Sequence, residues 1–393
     1  MSFICNVIKY MYKIVYILYY FLVRIICKVN SKKVVFFSIP DYADNARALS
    51  EYLMSSNRST FDVVWIVEDR NNLHLVDGCK SYVRLNRFGI FKLRTLYHMM
   101  TAKYVCSTHK FPLPYSKKLK EQVFVRLWHG CGYKDKTSRD GTHKVCDVAM
   151  VPGPLFIKPM AYFWNMNEND IIDLGYPRYD WLLKRSYKAS SYMSQLKGNA
   201  KKSVIWMPTF RNDKNGVFNE TSEQSSFPLI NDVSCWRQLD SACRDNNILL
   251  LIKLHVFQTD YDIPFAEMTN IKSLNVKDYM SKGLPLYEVI SETDALITDY
   301  SSVAIDYLVL DRPIAFCLDD FELYKKNRGF VFEDPLQYMP GHHLYNVEDL
   351  KCFIHDVAVG NDAHADERRR VRSVAVKESE CYCETVWNKI TSL

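Results

Sequence analysis

The sequence predicts an α/β protein made of two Rossmann-like halves with a cleft between them. Short β-branched runs alternate with helical stretches from residue 32 onward. The runs are apolar almost throughout, as the strands of a parallel sheet covered on both faces must be. The series also halts at the polar stretch Tyr187–Lys202 and then starts again. A chain of 393 residues suits two domains of roughly 150–200 residues each.

The first series of expected strands is Val34–Ile39, Val63–Val67, Tyr104–Ser107, Val123–Trp128, Val145–Val151 and Ile171–Leu174. The second is Val204–Met207, Leu249–Leu254, Ile271–Asn275, Ala295–Thr298 and Ile314–Leu318. Five regions follow. Residues 1–30 are expected to form an amphipathic helix, 31–186 an N-terminal Rossmann-like domain, 187–202 a linker, 203–360 a C-terminal Rossmann-like domain and 361–393 a helical tail. The charged run Asp366–Arg372 in that tail is expected to be a solvated helix.

Lys and Arg total 51 against 45 Asp and Glu. Residues 1–40 hold Lys9, Lys13, Arg24, Lys28, Lys32 and Lys33 before the first acid, Asp41, so the remaining body is neutral. A nucleic-acid partner, which requires a basic surface on the folded domain, is not expected. Twelve cysteines without a C-x-x-C pair read as free thiols of a reducing compartment.

The N-terminal segment has a longest charge-free run of ten residues, Ile14–Val23, against the roughly 20 that a spanning helix needs. At 100° per residue, Asn6, Lys9, Lys13, Tyr20, Arg24 and Lys28 share an arc of about 100° opposite Ile, Val, Leu and Phe. The pattern fits a helix lying in an anionic membrane interface. A tilted anchor with snorkelling cations and a helix packed on a partner protein are the other readings. No small-residue cleavage site follows, so a signal peptide is not expected.

Open parallel sheets bind ligands beyond the carboxyl ends of their strands, and four such ends carry unusual polar residues. Trp128-His129-Gly130-Cys131-Gly132-Tyr133-Lys134 follows VFVRL. There His129 reads either as a general base taking a hydroxyl proton or as a hydrogen-bonded structural histidine. Pro208-Thr209-Phe210-Arg211 follows VIWM, and Arg211 is either a diphosphate ligand or an ordinary surface or ion-pairing arginine. Lys253-Leu254-His255 ends the apolar run LLLIKLH. Two such polar groups need a ligand phosphate or neighbouring acids as company. Thr298-Asp299-Tyr300-Ser301-Ser302 joins a strand to an amphipathic helix. Its serines surround a helix start whose N–H groups suit an anion, although one serine is also a plain N-cap. No P-loop, G-x-G-x-x-G or H-E-x-x-H occurs, which argues against a nucleotide kinase, a dinucleotide dehydrogenase and a zincin.

Taken together, WHGCGYK, GYPRYD (Gly175–Asp180), PTFR, KLH and TDYSSVAIDYLVLDRPIAFCLDDFELYKKNRGF resemble the CDP-glycerol glycerophosphotransferase family of teichoic acid primases and polymerases and related capsule polymerases. The resemblance implies a GT-B-type fold with the nucleotide held mainly by the C-terminal half. It implies transfer of glycerol phosphate from CDP-glycerol to a hydroxyl of a lipid-linked or growing polymer acceptor, releasing CMP, on the cytoplasmic face of a bacterial membrane. A transferase using CDP-ribitol or another nucleotide-activated donor, including a GT-B glycosyltransferase, is the alternative, and a non-catalytic membrane scaffold is the other. On this resemblance His129 matches the catalytic base and His255 a second histidine associated with the donor's phosphates. Arg211, Ser301 and Ser302 fall at the diphosphate, and Thr298, Asp299 and Arg328 at accompanying motif positions. No cofactor and no metal held by protein ligands are expected. Two departures stand out: Val256 replaces the proline of Lys-x-His-Pro, and Cys131-Gly132-Tyr133 replaces Thr-Pro-Leu.

Overall fold

The computed structural model describes the chain except residues 1–13, 16, 56–59, 86–91, 112–117, 136–145, 210–226 and 255–262. Two all-parallel sheets dominate it. The first contains β1 (Asn30–Phe37), β2 (Asp62–Val67), β3 (Lys80–Val83), β4 (Ala102–Ser107), β5 (Val123–Arg126), β6 (Val148–Met150) and β7 (Ile171–Ile172). The second contains β8 (Lys202–Trp206), β9 (Ile248–Ile252), β10 (Ile271–Ser273), β11 (Ala295–Thr298), β12 (Ile314–Cys317) and β13 (His342–Leu344). Their orders are β3-β2-β1-β4-β5-β6-β7 and β10-β9-β8-β11-β12-β13. Strand order therefore reverses between β1 and β4 and between β8 and β11, and crevices at such reversals are where this class of sheet holds ligands.

Helix α1 (residues 17–26) precedes the first sheet. Crossovers α2 (Asp44–Ser55), α3 (Leu93–Thr101), α4 (Ile157–Trp164) and α5 (Tyr179–Leu183) belong to that sheet. The expected linker is itself mostly helical, as α6 (Tyr187–Lys197), started by a Ser186 cap on the Ala189 N–H and ended at Gly198. The second half carries α7 (Val233–Asp245), α8 (Val276–Ser281), α9 (Leu286–Ile290), α10 (Val303–Tyr307), α11 (Phe321–Asn327) and α12 (Val347–Val359). The tail forms α13 (Ala365–Ala375) and α14 (Tyr382–Thr391).

All eleven expected strands are present, several shorter by one to four residues. The two missed, β3 and β13, are outermost in their sheets. Edge strands lack a second neighbour, so KSYV and HHL show neither an apolar run nor a clean alternation.

The tail does more than the sequence implied. Helix α14 returns to the first half, where Trp387 packs edge-on against Phe61 and Tyr104 with centroids 5.0 and 5.1 Å away. The Asp180 carboxylate accepts from the Tyr382 and Cys383 N–H groups at 2.7 and 3.1 Å, which fixes the start of α14. The run Asp366–Arg372 is a helix but is not solvated throughout. Arg368 is 1% exposed and bridges Asp311 at 2.9 Å and Asp362 at 2.6 Å. A buried guanidinium needs such paired acids, and those acids lie outside the run.

Helix α1 also differs from the helical wheel. Tyr20, grouped there with the cations, is buried with Val23 against Leu96 and Met100 of α3. Leu18, Phe21, Leu22, Ile25 and Ile26 face outward, 52–83% exposed. Lys9, Lys13 and Asn6 of the same wheel lie outside the described residues. Among the described residues no helix is long and apolar enough to cross a membrane.

Candidate active site

The loop after β5 is shaped by what it must approach. Trp128 adopts a left-handed φ of 58° and Gly130 one of 140°. Asn45 at the start of α2 donates to the carbonyls of Leu127 and Trp128 at 3.2 and 3.0 Å and holds the turn. A Cβ on Gly130 would lie 2.5 Å from Ser302 Oγ, and one on Gly132 would lie 2.9 Å from the Ser302 backbone. Only glycines let this loop meet the start of α10 in the other half. The departure Cys131-Gly132-Tyr133 is therefore accommodated by contact: Gly132 admits Ser302, and the buried Tyr133 donates to the Tyr338 carbonyl at 2.7 Å.

His129 is exposed at this junction. Its Nδ1 lies 3.2 Å from the Thr108 carbonyl. A carbonyl only accepts, so Nδ1 carries the proton and Nε2 of the neutral ring holds a lone pair. His109 stacks on the ring, with centroids 4.3 Å apart and planes 10° apart. Its own Nδ1 is 2.9 Å from Thr108 Oγ1. Burial pushes the His109 pKa down, with Asp44 pulling it partly back, so His109 is a neutral platform at neutral pH.

Beneath the loop lies a buried ion-pair network that joins the two halves. Arg178, 1% exposed, donates to Asp306 at 2.7 Å, to the His129 carbonyl at 3.0 Å and to the Asp44 carboxylate. Tyr179 and Tyr287 also donate to Asp306, at 2.7 and 2.5 Å. Desolvation raises the Asp306 pKa, and Arg178 with the two phenols opposes it. Buried and with both oxygens hydrogen-bonded, this carboxylate is placed as a structural anchor and not as a base.

The turn after β11 divides its labour. Thr298 donates to the Met207 carbonyl at 2.7 Å. Asp299 is fully buried and accepts from the Thr209 N–H at 2.9 and 3.0 Å and from its hydroxyl. These two residues thus fix the Pro208-Thr209 loop that leads to Arg211. Ser301 and Ser302 are half-buried at the start of α10, where the first N–H groups precede any intrahelical acceptor. Arg328 caps α11 at the rim and donates to the Asp135 carbonyl at 3.3 Å. Around it the Lys134–Phe330 bridge and the Val331 N–H on the Tyr133 carbonyl, 2.8 Å, stitch the halves together.

The structure therefore brings His129, Ser301 and Ser302 together, with Thr298 and Asp299 directly behind them and Arg328 at one edge. Arg211 and His255 lie outside the described residues. Lys253, two residues before His255, borders an interdomain cavity of about 240 Å³ with Tyr42, Trp181, Tyr279 and Tyr287. Its ammonium forms no ion pair among the described residues, and desolvation pushes its pKa down to about 8. Among the described residues no group of three His, Cys, Asp or Glu is placed to hold a metal ion.

Sequence reasoning missed His109, Arg178, Asp44 and Asn45. His109 was findable, since it follows the end of β4 as His129 follows that of β5. Arg178 stood in GYPRYD without a role, because no spacing rule pairs it with an acid 128 residues away.

Comparison with known proteins bears on the fold and the family. The profile of the CDP-glycerol:poly(glycerophosphate) glycerophosphotransferase family matches residues 18–382. The teichoic acid ribitol-phosphate primase of Bacillus spizizenii is 27% identical over 302 residues, 70% of each chain. The teichoic acid poly(glycerol phosphate) polymerase of the same organism is 27% identical over 362 residues, 83% of this chain and 84% of its own. The solved wall teichoic acid polymerase TagF superposes with a TM-score of 0.75 at 20% identity, covering 95% of this chain and 92% of its own. The two-sheet GT-B-type fold is thus shared with TagF, and the chain, a phosphotransferase, belongs to the CDP-glycerol:poly(glycerophosphate) glycerophosphotransferase family.

Proposed function

We propose that the protein transfers glycerol phosphate from CDP-glycerol to a hydroxyl of a lipid-linked or growing polymer acceptor. The observation that carries this reading is the contact of the His129 loop with Ser302 through Gly130 and Gly132. It sets a base from one half against an anion-binding turn from the other. His129 Nε2 takes the proton of the acceptor hydroxyl, and the oxygen attacks the β-phosphorus of the donor. The bond from that phosphorus to the bridging oxygen breaks, and CMP leaves with the electron pair. Ser301, Ser302 and Lys253, together with Arg211 and His255 as assigned from sequence, offset the charge on the diphosphate.

CMP release in the presence of acceptor, with CDP-glycerol, CDP-ribitol and UDP- or GDP-sugars compared as donors, tests this reading. Turnover with CDP-glycerol is expected. The similarity to a ribitol-phosphate primase makes CDP-ribitol the second candidate, and turnover confined to it would reassign the donor. Turnover confined to nucleotide sugars would overturn both.

Lys253 supplies a pH signature. The ammonium is charged below about pH 8 and discharges as pH rises through that value. Donor affinity should therefore fall from pH 7 to 9 in the wild type. Lys253→Met should bind donor more weakly at pH 7 and respond less to pH, as titration calorimetry would show. A wild-type affinity flat over this range would remove Lys253 from the donor site.

The outward face of α1, Leu18 to Ile26, supports a helix lying in the membrane interface, which we place on the cytoplasmic face where the lipid-linked acceptor is built. Leu22→Glu/Ile25→Glu should reduce recovery on vesicles by more than about tenfold. CMP release onto a soluble acceptor analogue should be retained. Unchanged sedimentation with vesicles would refute the assignment.

A further inference from the structure

Beside α1 lies a second, separate cleft of about 420 Å³, bounded by Tyr19, Lys80, Tyr82, Arg94, Tyr97 and His98. We propose that it binds the phosphate of an anionic phospholipid headgroup. This rests on the membrane reading of α1 and adds a specific lipid contact to it.

The charge is positive and only partly answered. Lys80 pairs with Asp62 at 2.9 Å. Arg94 lies 4.6 Å from the Tyr82 ring centroid and meets no carboxylate among the described residues. Lys33 lies just behind, donating to Thr101 at 2.8 Å and sitting 5.0 Å from the Tyr97 ring centroid. His98 is 7% exposed and stacked on Tyr82, with centroids 4.6 Å apart, and its Nδ1 finds no hydrogen-bond partner among the described residues. Burial, then the charges of Lys33, Lys80 and Arg94, hold His98 down at about 4, with Asp62 opposing. An oxyanion meets a planar guanidinium fork, an ammonium and tyrosine rims there.

Position favours a bilayer phosphate over a soluble one. Tyr19 belongs both to the cleft and to α1, whose neighbours Leu18, Phe21 and Leu22 are exposed. Three tyrosines around a cationic cleft beside an apolar face suit the headgroup level of a membrane. The cleft is not a second mouth of the reaction site. Its strand β3 is outermost and four places from β5, roughly 19 Å at the usual strand spacing.

The test is co-sedimentation with phosphatidylcholine vesicles with and without phosphatidylglycerol. Wild type should prefer the anionic vesicles, and Arg94→Gln, at an exposed position, should lose at least about fivefold of that preference. Lys32→Gln removes the same charge from an exposed site outside the cleft and should lose less than half as much. Equal losses in the two variants would mean diffuse attraction and overturn the site. If Leu22→Glu/Ile25→Glu abolishes binding to both vesicles while Arg94→Gln matches wild type, the membrane reading stands and the cleft assignment falls. If wild type binds neither vesicle, both fall. Calorimetric binding of inorganic phosphate that Arg94→Gln abolishes, with phosphatidylglycerol preference intact, would give the cleft to a soluble anion and also overturn the proposal.

Discussion

His129→Ala is expected to lower CMP release onto acceptor by about 10²- to 10⁴-fold and to leave donor affinity and thermal stability close to wild type. The side chain is exposed and its hydrogen bond to the Thr108 carbonyl is a modest 3.2 Å, so its loss costs the fold little. Chemistry suffers because the Nε2 lone pair at the junction of the halves is removed. His109 does not replace it, because its ring is stacked and half-buried. Its function is to hold the plane of His129. His109→Phe, which keeps a flat ring, should therefore retain much more turnover than His109→Ala. Near wild-type CMP release by His129→Ala would refute the base assignment. Equal losses in the two His109 variants would refute the platform.

The sheets were legible because their physics is local. Leu249–Ile252 and Ala295–Thr298 are apolar on both sides, and a buried parallel strand can be little else. His129 and the paired serines were legible for a related reason: polar residues at the ends of such strands have few structural uses. Functions that depend on distant pairing were not. Asp299 was expected at a motif position beside Ser301, and no sequence rule pairs its carboxylate with Thr209, a partner 90 residues away. Tyr20 sat among cations on the wheel, yet α3 supplies an apolar face that the wheel does not contain. Arg368 read as one charge in a solvated run until Asp311 and Asp362 flanked it.

Arg178→Ala is expected to be the most damaging single substitution for stability, at about 3–5 kcal/mol. It strands Asp306, fully buried, with only the hydroxyls of Tyr179 and Tyr287 to oppose its desolvation. Asp44 is better placed to recover, since its side chain is 17% exposed and water reaches it. Arg178 also donates to the His129 carbonyl, so the same guanidinium ties the fold to the base, and stability and turnover would fall together. Arg178→Met/Asp306→Leu separates the two effects. Replacing both partners of a buried pair with apolar groups removes the uncompensated charge and is often nearly neutral. The double variant should therefore regain most of the lost stability in urea unfolding. Its turnover should stay low, because the Arg178 bond to the His129 carbonyl is lost and the loop is no longer tied to the buried pair. Full recovery of both would make the pair a packing device alone. Recovery of stability without activity would show that this interdomain bridge positions the base.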